Sequence, residues 1–404
     1  MFPSMSATPH PPRPGRSRAV RADRRPVRAL GTFLMIMLAV LAGTTACART
    51  GGVPLWQDAA ADAAPASPAP ATPAAPTSTP GDAKVITLSA TGDIVMGNVP
   101  GRLPADDGRG FFDSVTDALA ADLVMGNLEE PLTDDTGTSK CGKNADDCHQ
   151  FRAPPGYAAH LRDAGFMLLN QANNHGYDFG AAGYRNTQKA LEKHGLQHTG
   201  AVDQITVVTV EGVTVAVVGF SPYSWNNSVT DIDAAQAIVE RAAADADLVV
   251  VQVHMGAEGS EKTRVKPGTE MFLGENRGDP ITFSRAVIDA GADVVIGHGP
   301  HVLRGMEFYQ GRLIAYSLGN FAGGGGTLSN RAALGLGGVL KVSLTPDGEW
   351  AGGEFVSTYM NGAGKPTLDA DARGLDLIRT VTRSDFPNTG PRFRDDGKIS
   401  PPAA

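Results

Sequence analysis

Nine histidines occur in this 404-residue chain, and four of them stand just after apolar, strand-like runs. His175 follows Asn173 and Asn174 at the end of the run 166–169. His254, with Glu258 beyond it, follows 248–253. His298 and His301 follow 293–297. Other polar groups occupy equivalent positions: Asp93 after 85–92, Asn127 and Glu129 after 122–126, and Ser317 through Asn320 after 312–316. Ligands of an open α/β sheet collect at the carboxyl ends of its strands. Six such ends converging would bring together carboxylate, amide and imidazole groups, a donor set suited to a hydrolytic metal centre.

Each cluster also has a plainer reading. Asp93 after a glycine could bind a cation or cap the next turn. Glu129 could bridge two metals or belong to a solvated acidic loop. The amide of Asn174 is a metal ligand by type, and the adjacent His175 can act as a general acid. Asp178, three residues on, would hold that imidazole in one tautomer. Gly297-His298-Gly299-Pro300-His301 is the sharpest signal, two imidazoles on a rigid turn that can aim both at one ion. Gly323 to Gly326 lacks the Lys and Ser/Thr of a phosphate loop and reads as a lid or linker rather than a ligand contact.

Elements that would position these groups alternate along the chain. Strand-like runs at 85–91, 122–126, 248–253 and 293–297 are interleaved with helical spacing at 111–119, 156–164, 181–194, 232–246 and 280–290. The runs 205–210 and 213–220 flank Glu211-Gly212, a hairpin signal, and hairpin-like pieces recur at 312–318 and 338–345. The order predicts a layered α/β domain with mixed sheets back to back between helices. The globular part spans 84–363, and the Pro- and charge-rich stretch 364–404 reads as a surface tail.

Residues 1–46 read as an export signal. They hold seven Arg against one Asp, followed by an apolar stretch at 31–43 that is shorter than the ~20 residues of a membrane-spanning helix. Thr44-Thr45-Ala46-Cys47 has the form of a lipoprotein cleavage site, with Cys47 as the lipidated residue. Residues 47–83 form an Ala/Pro-rich linker too poor in large apolar side chains to bury a core. The expected location is therefore outside the cell, on the outer face of the cytoplasmic membrane, held by an N-terminal lipid or anchor. The whole chain carries a formal charge of −8, and without residues 1–46 (net +6) it carries −14. That balance argues against nucleic acid as a partner. Cys141 and Cys148 should pair in an oxidising compartment, the alternative being a metal site with His149.

The motifs together resemble the CapA family of capsule and poly-γ-glutamate biosynthesis proteins. The matching pieces are Gly92-Asp93-Ile94-Val95-Met96-Gly97, Asn127-Leu128-Glu129-Glu130-Pro131-Leu132-Thr133, 172–180 around Asn173-Asn174-His175, His254-Met255-Gly256-Ala257-Glu258, 291–302 around His298 and His301, and Tyr316-Ser317-Leu318-Gly319-Asn320-Phe321. The resemblance implies a calcineurin-type metallophosphoesterase fold, a four-layer αββα sandwich with one or two divalent ions (Mn, Zn or Fe). Asp93, Glu129, Asn174, His254, His298 and His301 would be ligands, with Glu129 bridging. His175 would be the catalytic imidazole, supported by Asp178, and Asn127, Asn173, Glu258 and Asn320 would line the site. Val95 stands where ordinary phosphoesterases of this fold have a further histidine. The implied activity is metal-dependent hydrolysis or transfer on an anionic envelope polymer such as poly-γ-glutamate, with a membrane synthase as a further partner. The alternatives are a general extracytoplasmic phosphoesterase and a non-catalytic polymer-binding protein.

Overall fold

The computed structural model describes residues 84–134, 139–142 and 148–403. Residues 1–83, with the expected export signal, Cys47 and the expected linker, lie outside these residues. Two mixed sheets stack face to face with helices on both outer sides, the four-layer α/β/β/α arrangement. The central strands are rich in β-branched side chains and buried on both faces. Such strands belong inside a mixed sandwich, where both sides need apolar cover.

The first sheet has ten strands. Its centre is β1 (Ile86–Val95), which runs parallel to β2 (Leu123–Leu128). Beyond β2 lie β3 (Leu168–Asn170) and β4 (Gln197–Thr199), also parallel. The second sheet has seven strands. It is built on the hairpin β5 (Thr206–Val210) and β6 (Val213–Ser221), followed by parallel β7 (Leu248–His254) and β8 (Val294–His298). β9 (Met306–Tyr309) and β10 (Arg312–Ala315) form its far edge. β11 (Asn320–Gly323) then returns to the first sheet, parallel to β1. β12 (Leu336–Leu344) pairs antiparallel with β1 on one side and with β13 (Trp350–Met360) on the other. The 338–345 piece therefore forms its hairpin with β13, and not with the 312–318 run.

Alternation along each strand divides the interior into three cores. Ile86, Leu88, Leu123, Met125, Val215, Val250, Val294 and Ile296 fill the space between the sheets. The outer face of the first sheet packs on α1 (Thr116–Leu119), α2 (Ala158–Asp163) and α3 (Gly180–Lys193). That of the second packs on α4 (Ile232–Asp245) and α5 (Pro280–Asp289). Both of the latter begin on an aspartate, Asp231 and Asp279, whose side chain accepts from the third backbone N–H beyond it, the ordinary cap for otherwise unpaired donors. The expected 111–119 helix is helical only over α1. Among the described residues no helix is long and apolar enough to cross a membrane.

Two expectations are corrected. Residues 364–404 are not a surface tail. They contain β14 (Pro366–Leu368), α6 (Arg373–Asp385), β15 (Arg392–Phe393) and β16 (Lys398–Ser400), and the strands extend the first sheet. Leu375, Ile378 and Ile399 enter the core between the sheets. The apolar residues of α6 recur at helical spacing, but the charged residues among them hide the pattern. The second correction concerns Gly323–Gly326, which is neither lid nor linker. A Cβ on Gly324 would lie 1.9 Å from the Met96 carbonyl oxygen, and one on Gly325 2.1 Å from that of Arg102. The run is glycine because backbone packs on backbone there.

Candidate metal centre

The site begins with the parity of β1. Ile86, Leu88 and Ala90 face the second sheet, and strict alternation would send Asp93 outward. The register shifts twice around Asp93, between Ala90 and Asp93 and again between Asp93 and Ile94. Ile94 consequently joins the outer core, and Asp93 turns inward. Gly92 permits this close approach, since a Cβ there would stand 1.9 Å from the Gly319 carbonyl oxygen. On β2 and its extension, Leu123, Met125, Asn127 and Glu129 follow one another on the inner face by simple alternation.

In the sheet register Asn320, Asp93, Asn127 and Asn170 form one row across four strands. Their side chains are linked. Asn127 Nδ2 donates to Asp93 Oδ1 at 2.8 Å, and Asn170 Nδ2 donates to Asn127 Oδ1 at 3.0 Å. Asn173 Nδ2 donates to the same oxygen and to the Leu128 carbonyl. Asn127 and Asn173 thus hold the row rigid, and the second oxygen of Asp93 remains directed at His301, 3.1 Å from its Nδ1. Opposite, His254 and His298 are register partners on β7 and β8. They share the inner face with Val250 and Val294.

Asp93, Glu129 and His301 can present one ligand atom each within 4.8 Å of one another. His254 Nε2 lies 3.1 Å from Glu129 Oε1, and His301 Nε2 lies 3.7 Å from that oxygen and from Glu258 Oε2. His301 Nδ1 also meets Asn320 Oδ1 at 2.8 Å, which assigns the proton to Nδ1 and turns Nε2 to the carboxylates. His301 has left-handed backbone, φ 61°, uncommon for a side chain with a Cβ and concentrated at functional sites. His298 Nε2 meets Gln252 Oε1 at 3.2 Å.

The fit to a metal rests on what these contacts leave over. Glu129 Oε2, Asn174 Oδ1, His254 Nδ1 and His298 Nδ1 are all buried without a hydrogen-bond partner, although buried polar groups are ordinarily paired, and Asp93 Oδ2 has only its ion pair with His301. All five are ligand-type atoms. In His298 the opposite ring nitrogen is held by Gln252 Oε1, the pattern in which a second partner orients a metal-binding imidazole, whereas His254 turns its Nε2 to the candidate ligand Glu129. The residues present therefore fit a divalent ion held by oxygen and nitrogen. Val95, buried and on the inner parity of β1, supplies no donor.

Charge is out of balance in the bare protein. Burial pushes the Glu129 carboxyl up, against the pull of the His301 and His175 charges. Burial drives His254 well below the ordinary imidazole value and His298 down to about 4. Burial acts the same way on His301, but Glu129, Asp93 and Glu258 overcome it and push that ring well above the ordinary imidazole value. Two imidazoles kept neutral beside carboxylates is the protonation state a cation requires.

His175 sits beside this cluster. Its Nδ1 lies 2.7 Å from Asp178 Oδ2, which also accepts the Phe151 N–H, and its ring lies 4.3 Å from that of Phe151. The contact fixes the tautomer and leaves Nε2 available for proton transfer. Lys140 was not visible in the sequence as a site residue. Its Nζ lies 3.0 Å from Asp178 Oδ1 and donates to the Asn174 carbonyl. Cys141, its neighbour, is joined to Cys148 by a disulfide, and His149 takes no part. Gln252 and Arg277 were also missed. Gln252 could have been found, being the one polar residue in the apolar run before His254.

Comparisons agree with this site in family terms. A model described as bacterial capsule synthesis protein PGA_cap matches residues 87–324. The chain is similar to the PGA biosynthesis protein CapA of Bacillus subtilis, 31% identical over 256 residues, covering 59% of this chain and 63% of that protein. It is 33% identical over 261 residues to the capsule biosynthesis protein CapA of Bacillus anthracis, covering 58% and 59%. A probable polyglutamine synthesis accessory protein of Mycobacterium tuberculosis is 29% identical over 315 residues, covering 67% and 74%. The match thus spans less than two thirds of the length of the two Bacillus proteins. Among solved structures, a 5'-nucleotidase precursor from Thermus thermophilus aligns with a TM-score of 0.40 and 14% identity over 76% of this chain and 60% of that one.

Proposed function

The chain belongs to the bacterial capsule synthesis protein PGA_cap family, and from that premise we propose that its folded domain is a metal-dependent hydrolase or transferase acting on an anionic envelope polymer of the poly-γ-glutamate kind. One observation carries the reading. Asp93, Glu129 and His301 present ligand atoms within 4.8 Å of one another, and the candidate ligands Glu129, Asn174, His254 and His298 each keep one buried polar atom without a partner. A divalent ion would be held by these residues, Glu129 Oε1 lying 3.1 Å from His254 Nε2 and 3.7 Å from His301 Nε2. Bound there, it would supply Lewis-acid polarisation and charge neutralisation for an anionic substrate.

The chain's own groups account for the rest. Asn127 and Asn173 fix Asp93 and the 173–175 turn. Asp178 orients His175, whose Nε2 gives a proton to the leaving group or takes one from the attacking group. The long apolar walls between the sheets exclude water from the far side. The expected setting is the outer face of the cytoplasmic membrane, with the domain on its 47–83 tether near a membrane synthase.

The test is metal content of the purified full chain by mass spectrometry, beside His254→Ala and His301→Ala. The wild type is expected to hold one or two ions per chain and each variant to lose at least tenfold. Incubation with poly-γ-glutamate, read as polymer chain length, then tests the reaction. Undiminished metal in both variants would sink the centre. A metal-loaded protein that leaves the polymer untouched but cleaves a simple phosphate ester would move the reading to a general phosphoesterase.

A further inference from the structure

Two arginines are buried to about 1% exposure, and they are used differently. Arg304 is fully engaged: Nε donates to the Lys262 carbonyl, Nη1 to Glu270, and Nη2 to Glu270 and the Ala257 carbonyl. It is a structural clamp. Arg277 spends only one nitrogen. Its Nη1 donates to Glu258 Oε1 at 2.8 Å and to Tyr223 Oη at 3.3 Å. Nε and Nη2 are both buried and have no partner. In a guanidinium these two nitrogens share one edge, whose parallel N–H bonds match the two oxygens of a carboxylate or phosphoryl group. Leaving such an edge unpaired costs a folded protein free energy, and the protein itself supplies no partner for it.

The location says what kind. Glu258 connects Arg277 to the metal centre, since its other oxygen lies 3.7 Å from His301 Nε2 and its Oε1 lies 3.5 Å from Asn174 Nδ2. The guanidinium lies between the rings of Tyr223 and Phe272, 5.9 and 5.8 Å from their centroids. Tyr223 begins a half-buried stack with Trp225 (5.0 Å) and Tyr177 (4.8 Å further), and Trp225 Nε1 donates to the Asn173 carbonyl. A ribbon of aromatic faces thus leads to the centre and ends on a cation. Phe272 rides on a two-stranded hairpin, Met271–Phe272 with Glu275–Asn276, that pairs with no other strand and carries Leu273 at its tip, 89% exposed.

We propose that Arg277 is the residue by which the site recognises its substrate, taking an oxyanion two-pronged on its Nε/Nη2 edge while Tyr223 and Phe272 flank it. The inference rests on the anionic-polymer reading for the oxyanion's identity, a γ-glutamyl carboxylate. The same edge would accept phosphate. Arg277 fixes the side group and leaves the reacting bond to the metal centre. Phe272, 5.8 Å from the guanidinium, closes one side of it.

The experiment is titration of the metal-loaded full chain with a short γ-glutamate oligomer and, separately, with inorganic phosphate. It is read by calorimetry and by Trp225 emission. Arg277→Lys keeps the charge and loses the fork, and is expected to weaken oligomer binding at least tenfold with metal content unchanged. Equal oligomer binding by wild type and Arg277→Lys would overturn the assignment and leave the polymer reading intact. Phosphate binding that depends on Arg277, with no oligomer binding, would retain the assignment and overturn the polymer. Binding of neither anion would overturn the assignment. Should Arg277→Lys lose its metal or its fold, Phe272→Ala decides, because removing a ring that flanks the guanidinium must change the rate of oligomer association severalfold. An unchanged rate would refute it.

Discussion

At the scale of single residues, the division of labour between His175 and the imidazoles around Glu129 can be separated by experiment. His175 contacts Asp178 and Phe151 and leaves the buried ligand atoms untouched. His175→Asn is therefore expected to keep the metal while turnover of the polymer falls by about 10²–10⁴, the usual worth of a positioned acid or base. Asp178→Asn should fall less and shift the pH profile, because it changes the tautomer and not the group. A rise in KM with kcat unchanged would show that His175 only binds. Residues of this kind were legible in the sequence because each interrupts an apolar run. Asp93, Asn127, His254 and His298 stand where a buried strand suddenly becomes polar. Lys140 and Arg277 gave no such signal. They come from loops, where no periodicity marks which way a side chain turns, and their roles exist only through partners distant in sequence.

At the scale of elements, the decisive feature is the irregularity of β1. An unbroken strand would bury Ile94 between the sheets and point Asp93 at the helices. Gly92→Ala places a Cβ on the Gly319 carbonyl, so β1 and the 317–320 turn must separate. The expected cost is about 1–3 kcal/mol, the range for overpacking, seen as a lower Tm. Metal content should drop as well, because Asp93 and the Asn320 contact of His301 move with those two segments. An unaltered Tm with full metal would show that the sheets absorb the change. Periodicity predicted the strand but not the slip, since one residue of register leaves no trace in an apolar pattern. Helices of the second layer were the easiest to read: 232–246 and 280–290 differ from α4 and α5 by a residue at one end, because Asp231, Asp279 and Pro280 announce their starts.

Over the whole molecule, the sheet that carries the site depends on the last forty residues. Leu375, Ile378 and Ile399 together bury enough apolar surface for about 4.5–9 kcal/mol at ~1.5–3 kcal/mol each, comparable with the ~5–15 kcal/mol stability of an entire domain. Deleting 364–404 is expected to yield a chain without a cooperative thermal transition. A truncated protein that melts sharply and keeps its metal would show that the segment is dispensable. A layered α/β build with sheets back to back was legible in the alternation of strand and helix signals, the four-layer sandwich followed from the family resemblance, and α6 was overlooked because arginines and aspartates surround its buried stripe.

The pairing of β1 with β12 has a further consequence. Thr87 and Ser343, whose hydroxyls meet across these strands, are 256 residues apart. A chain threaded through a membrane from its amino end delivers β1 first and must deliver nearly everything else before that strand gains its second neighbour. Contacts so distant form late. On the export route proposed above, the ligands of the centre are still scattered when the chain leaves the cytoplasm, and they gather only outside. Which ion fills the site is then set by the supply on that side of the membrane, and not by the metal pools of the compartment where the protein is made.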